Sequence, residues 1–163
     1  MCKAMVPDRC VDAMMNIDYE ALRDEGYKYA FLDFDNTMAE DHAKEPSQLS
    51  FAILEKLQSA GFSCCLVSNA KSTRSADVAK LLGIPCVSYA NKPSPSGLLK
   101  AMKLISAEKE KSIMFGDQVF TDIIAGNRAG ICTYLVTPVS KKEVFYVRLK
   151  RPFEKIVRFF CRF

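Results

Sequence analysis

Two aspartates, Asp33 and Asp35, close the apolar run "FLDFDNT" with only Phe34 between them. Like charges at this spacing resist joint ionisation, so a carboxylate pair at a strand end calls for a cation beside it. In extended backbone the side chains at i and i+2 point the same way, which lets both carboxylates face one ligand while Phe34 turns into the fold. One can attack and the other can handle the proton. Further parts follow along the chain: Ser68 and Asn69 in "VSNA", Lys92 in "NKP", and Asp117 and Asp122 in "GDQVFTD". A divalent cation held with Asp117, together with the Lys92 ammonium, would keep Asp33 ionised and lower its pKa. Hard oxygen donors around a phosphoryl group point to Mg2+. In-line attack by Asp33 on phosphorus would give an aspartyl-phosphate. Asp35 would protonate the leaving alcohol and later take a proton from the hydrolytic water, while Ser68, Asn69 and Lys92 bind the phosphoryl oxygens.

Such distant residues meet only if the scaffold brings their segments to one rim. Apolar runs at 29–32, 62–67, 86–89, 112–115 and 131–136 predict strands. Helical spacing predicts helices over 49–60, 74–82, from Ser94 and Pro95 to about Ile105, and over 121–128. The alternation predicts an α/β fold: a doubly wound, mostly parallel sheet between two helical layers. Strands buried on both faces show continuous apolar runs, and ligands of such sheets bind beyond the strands' carboxyl ends. Each candidate residue falls there: Asp33 and Asp35 after the first strand, Ser68 and Asn69 after the second, Lys92 after the third, Asp117 after the fourth.

The 163 residues suffice for one domain, and 49% hydrophobic with 26% charged residues excludes disordered and fibrous classes. No apolar run reaches the length of about 18 residues that a membrane-spanning helix needs. "MCKAMVPDRC" lacks the apolar core of a signal peptide, so the mature chain is expected to be the whole chain. The seven cysteines form no CxxC pair and have no histidine at zinc-ligand spacing, which favours a reducing compartment and a cytoplasmic location. The single histidine, His42, reads as a solvated loop residue. The net charge of +4 is uneven, because residues 141–163 carry eight Lys or Arg against two Glu. Residues 1–140 are therefore read as the catalytic core and 141–163 as a basic extension packed on or next to it.

"DFDNT", Ser68, Lys92 and "GDQVFTD" together resemble the four ordered motifs of the haloacid dehalogenase superfamily of aspartate-dependent phosphatases. The order and spacing, with "PD" near the start, "GNRAG" after the fourth motif and "RPFEKIV" near the end, resemble its subclass IIIA YqeG-type family over nearly the whole chain. That family includes phosphatidylglycerophosphate phosphatases. The resemblance implies Asp33 as nucleophile, Asp35 as acid/base, Thr37 and Ser68 as phosphate-site hydroxyls, and Lys92 as charge stabiliser. It also implies Mg2+ on Asp33 and Asp117, with Asp122 in support and Asp35 contributing its backbone carbonyl. Asn36 stands where the wider superfamily has Gly, and Asn tolerates the unusual backbone angles of such a position.

Two other readings compete. A phosphorylation-receiver module also uses Asp, Ser or Thr, and Lys, but carries its acceptor on the middle strand and its Lys last; here Lys92 precedes Asp117 and the middle strand is taken to end in Ser68. An inactive scaffold would have lost a motif position, and none is lost. Residues 38–50 are too few to fold as a cap domain, so the site should be open, suited to a phosphate on something large or completed by a partner subunit or second copy. For the large thing, the tail offers a clue. Phe153, Ile156, Val157 and Phe160 repeat at i, i+3, i+4 and i+7 with Lys155, Arg158 and Arg162 between them, a pattern that can lie on an anionic membrane or pack on the domain. A phospholipid phosphate is the expected substrate, with the enzyme peripheral on the inner face of a membrane. Nucleic acid is not an expected partner, since no stacking platform or recognition motif accompanies the charge.

Overall fold

The computed structural model describes residues 2–70 and 73–140, so the extension assigned to 141–163 lies outside the described residues. Among the described residues six strands are formed: β1 (Arg9–Val11), β2 (Tyr29–Leu32), β3 (Ser63–Val67), β4 (Cys86–Val87), β5 (Ser112–Gly116) and β6 (Cys132–Val136). They make one sheet in the order β1-β6-β5-β2-β3-β4, with every pairing parallel. Five α-helices accompany them: α1 (Tyr19–Asp24), α2 (Gln48–Ser59), α3 (Arg74–Leu82), α4 (Ser96–Leu104) and α5 (Ile124–Ala129).

Alternation along the strands builds two cores. Ala30, Leu32, Cys64, Leu66, Ile113 and Phe115 face one way and pack with Leu22, Ile53, Leu57, Val78 and Leu82 from α1, α2 and α3. Phe31, Cys65, Val67 and Met114 face the other way, onto Leu98, Ala101 and Met102 of α4 and Ala125 and Ala129 of α5. The fold is thus a three-layer α/β/α sandwich, and a strand clothed on both faces reads as an unbroken apolar run.

The path of the chain decides where a ligand can sit. From β2 it runs outward through β3 to the edge strand β4, then returns through α4 to β5 on the other side of β2. Loops leaving β2 and β5 therefore diverge and open the crevice of a topological switch point. Register levels the strand ends: Leu32 pairs with both Phe115 and Leu66, so the residues just beyond emerge together. The segment from residue 38 to the Ser47 cap of α2 is short and holds no inserted domain.

Several elements differ from expectation. Strand β1 and helix α1 are not foreseen, because three largely exposed residues and one six-residue helix carry too little periodicity to detect. The strand over 86–89 stops at Val87, and Tyr89 takes a positive φ of 52°. The helix over 121–128 begins instead as a π-type turn at Val119–Ile123 and becomes α-helical at Ile124. The strand before Ser68 is not the middle one: β2 and β5 occupy the centre, and β3 lies next to the edge. Asp33 therefore follows a central strand, and what still separates this chain from a receiver is the order of Lys92 before Asp117.

Candidate active site

Lys92 gathers the site. From the loop between β4 and α4 its buried ammonium donates to Asp33 Oδ1 at 2.7 Å and to the Val67 carbonyl at 2.9 Å, and lies 2.6 Å from Asp122 Oδ1. The ammonium thus donates two hydrogen bonds and faces the Asp122 carboxylate as an ion pair. Asn69 braces this arm from below: its Nδ2 donates to the Lys92 carbonyl at 2.8 Å and its Oδ1 accepts the Lys92 backbone N–H at 2.7 Å. Both ends of the Asn69 amide, expected to meet phosphate, are here engaged with the lysine.

Asp33, Asp117 and Asp122 bring carboxylate oxygens within 4.8 Å of one another. Asp117 and Asp122 are buried to 0% and 1% exposure, so this charge sits largely out of water. Burial pushes the Asp33 carboxyl up to about 7, against the pull of Lys92 and with Asp122 and Asp35 adding to the rise. Burial would by itself lower the Lys92 pKa, but Asp122 and Asp33 overcome it and the net shift is upward. One ammonium, shared with Asp122, does not by itself offset desolvation of the Asp33 carboxylate; the lowering expected there was that of Lys92 together with a bound divalent cation. Asp33 and Asp122 share one ammonium, and with Asp117 they form an all-oxygen donor set that suits a hard divalent cation.

Local sequence explains how these groups come so close. A Cβ at Gly116 would lie 2.4 Å from Asp122 Cγ, so only glycine lets the Asp122 side chain fold back beside β5, where its Oδ2 accepts the Gln118 N–H at 3.1 Å. Asn36 has φ 59°, a left-handed conformation that Asn adopts more readily than most residues, and its carbonyl accepts the Val139 N–H. Thr37, buried beside Asp33, points its hydroxyl at Asp33 Oδ2 across 3.4 Å. Ser68 Oγ accepts the Ala70 N–H at 3.1 Å and lines the same cavity as Asp33 and Lys92.

The Asp35 carboxylate is not part of the acidic cluster. Arg74, at the start of α3, forks onto it, Nη1 to Oδ1 at 2.8 Å and Nη2 to Oδ2 at 2.6 Å. Arg74 is missing from the sequence reading. A signal for it exists, since a cation in the first turn of a helix opposes the macrodipole and calls for a nearby anion. Asp41 and His42 also line the cavity, and His42 is the exposed loop residue expected. The cavity holds about 150 Å³.

The haloacid dehalogenase-like hydrolase family matches residues 9–130. Over 153 residues the chain is 31% identical to the "Probable phosphatase YqeG" of Bacillus subtilis (strain 168), which spans 94% of this chain and 89% of that protein. It is 29% identical over 160 residues to the chloroplastic phosphatidylglycerophosphate phosphatase 1 of Chlamydomonas reinhardtii, covering 92% of this chain but 60% of that protein's length. Among solved structures, the cobalt-bound deoxy-D-mannose-octulosonate 8-phosphate phosphatase of Haemophilus influenzae aligns with a TM-score of 0.53 at 16% identity, over 82% of this chain and 88% of that one. That likeness speaks to the fold alone.

Proposed function

Because the chain belongs to the haloacid dehalogenase-like hydrolases and is a phosphatase of that family, we propose that it is a Mg2+-dependent phosphomonoesterase whose substrate is phosphatidylglycerophosphate. The observation that carries the chemistry is the Lys92 ammonium seated between Asp33 and Asp122, with Asp117 in the same cluster.

Asp33 attacks phosphorus, the leaving alcohol takes a proton from Asp35, and the phosphoryl group is left on Asp33. Lys92, Ser68 and Thr37 receive the phosphoryl oxygens as charge moves among them. Water then attacks the same phosphorus, gives its proton to Asp35, and inorganic phosphate leaves. The carboxylates of Asp33, Asp117 and Asp122 would hold Mg2+, which when bound neutralises phosphoryl charge as a Lewis acid. Acid–base help of this kind contributes on the order of 10² to 10⁴ in rate.

The lipid substrate is supported by the algal relative and by the size of the site. A cavity of about 150 Å³ is below the roughly 300–1,000 Å³ of pockets that enclose small ligands, so it takes a phosphoryl group and leaves the rest of the substrate outside. With no inserted cap, a headgroup projecting from a bilayer can reach the rim. Among the described residues no helix is long and apolar enough to cross a membrane; the basic residues of 141–163 would serve as the anionic-lipid contact.

The test uses purified protein with Mg2+. Asp33→Asn should lose turnover of p-nitrophenyl phosphate by at least about 10³-fold while keeping its far-UV spectrum; retained turnover refutes the nucleophile. Phosphatidylglycerophosphate in mixed micelles should outcompete soluble sugar phosphates, and the reverse preference refutes the lipid.

A further inference from the structure

The Asp35 carboxylate is held from two separate segments of chain. Besides the two bonds to Asp35, Arg74 Nη1 donates to the Ala43 carbonyl at 2.9 Å, and the backbone N–H of His42 donates to Asp35 Oδ1 at 2.9 Å. Helix α3 and the rim segment around 42–43 thus meet at this one carboxylate. A fork onto both oxygens sets orientation as well as charge, which a single-point contact does not. Both side chains are about one-fifth exposed, 18% for Arg74 and 22% for Asp35, so the pair stands at the mouth of the site rather than in the core.

We propose that Arg74 is the positioning residue of Asp35, holding that carboxylate as proton acceptor for the water that frees phosphate from Asp33. The inference rests on the aspartyl-phosphate reading above. In this half-reaction the water oxygen bonds to phosphorus and the bond from phosphorus to the Asp33 oxygen breaks, its electron pair staying on Asp33. One water proton passes to Asp35 and inorganic phosphate departs. The fork and the His42 N–H together occupy both lone pairs of Oδ1 and one of Oδ2, leaving one on Oδ2 to accept a further proton, which is the arrangement of a base. The fork gives no matching help to the first half-reaction, where Asp35 delivers a proton.

Removing Arg74 should therefore slow dephosphorylation and spare phosphorylation by an ester whose leaving group needs little protonation. With p-nitrophenyl phosphate and Mg2+, Arg74→Gln is expected to lower kcat roughly 10²-fold. KM should fall in step, leaving kcat/KM within about threefold, and a burst near one equivalent of p-nitrophenol should precede the slow steady state. Arg74→Lys keeps a single-point contact and should recover about tenfold of the lost rate. A kcat within threefold of wild type overturns the assignment, as does a fall without a burst in which kcat/KM declines equally. A wild-type protein that forms no acid-stable phosphoenzyme, or still forms one as Asp33→Asn, fails at the preceding reading; wild-type turnover with no burst in either Arg74 variant fails here alone.

Discussion

Two clusters of polar groups lie in the fold, and their balance differs. At the amino-terminal side, Asp8 Oδ2 accepts from the Thr133 backbone N–H at 2.8 Å and from its hydroxyl at 3.1 Å, and Asn127 Nδ2 ties down the Ala4 and Val6 carbonyls. That network holds β1 and the preceding residues against β6, and its single carboxylate is met by donors. At the carboxyl rim of β2 and β5, Asp33 and Asp122 share one ammonium with Asp117 beside them, and burial lifts Asp33 far above an ordinary carboxyl. A polar group that serves structure is matched by its neighbours. One that serves chemistry keeps a charge for something that arrives.

The comparison can be broken most forcefully at Lys92. Lys92→Met should leave Asp33 and Asp122 opposed in the interior and cost about 3–5 kcal/mol at neutral pH, read from urea unfolding. A loss below about 1 kcal/mol would mean that the rim is no more strained than the Asp8 network. The second effect is that of the cation. Asp33 is raised in the folded state from an ordinary value of 3.8 to about 7, so the stability it contributes is full below about pH 4 and is lost as pH rises to 7. Without Mg2+ the protein should therefore melt lower at pH 8 than at pH 5. Saturating Mg2+ should restore roughly 2–3 kcal/mol at the higher pH and much less at the lower. Equal Mg2+ effects at the two pH values would contradict an acidic site in need of charge.

Gly116→Ala comes third. Its Cβ must push Asp122 aside, at about 1–3 kcal/mol, and Mg2+ affinity measured by calorimetry should weaken with it. Thr133→Val should have the smallest effect, about 1 kcal/mol from lost hydrogen bonds to Asp8 and Asn127. Its kcat and its response to Mg2+ should match wild type, and a change in either would couple the two clusters.

Much of the rim is legible in sequence because Asp33, Ser68 and Asp117 each follow a run clothed on both faces. Apolar "YAFL", "SCCLV" and "SIMFG" announce β2, β3 and β5, and what comes next is Asp33, Ser68 and Asp117. Sheet order is not legible, since short-range pattern says nothing of which strand turns back across the sheet; that is why β3 was taken for the middle. Strand β1 escapes for a related reason, as it pairs with a partner more than a hundred residues away. The fork of Arg74 on Asp35 spans 39 positions and needs the fold before it can be seen. The direction of the Asp33 shift without a cation was not legible, because it depends on how completely water is excluded, and burial is a tertiary quantity.

Strand β4, two residues long at the edge of the sheet, leads the chain toward the Lys92 arm, whereas Asp33 and Asp117 leave its two innermost strands. Warming should fray the margin first and draw the ammonium away while the interior ladder persists. Heat would then silence turnover at a temperature where circular dichroism still reports an intact molecule, and cooling would bring the activity back.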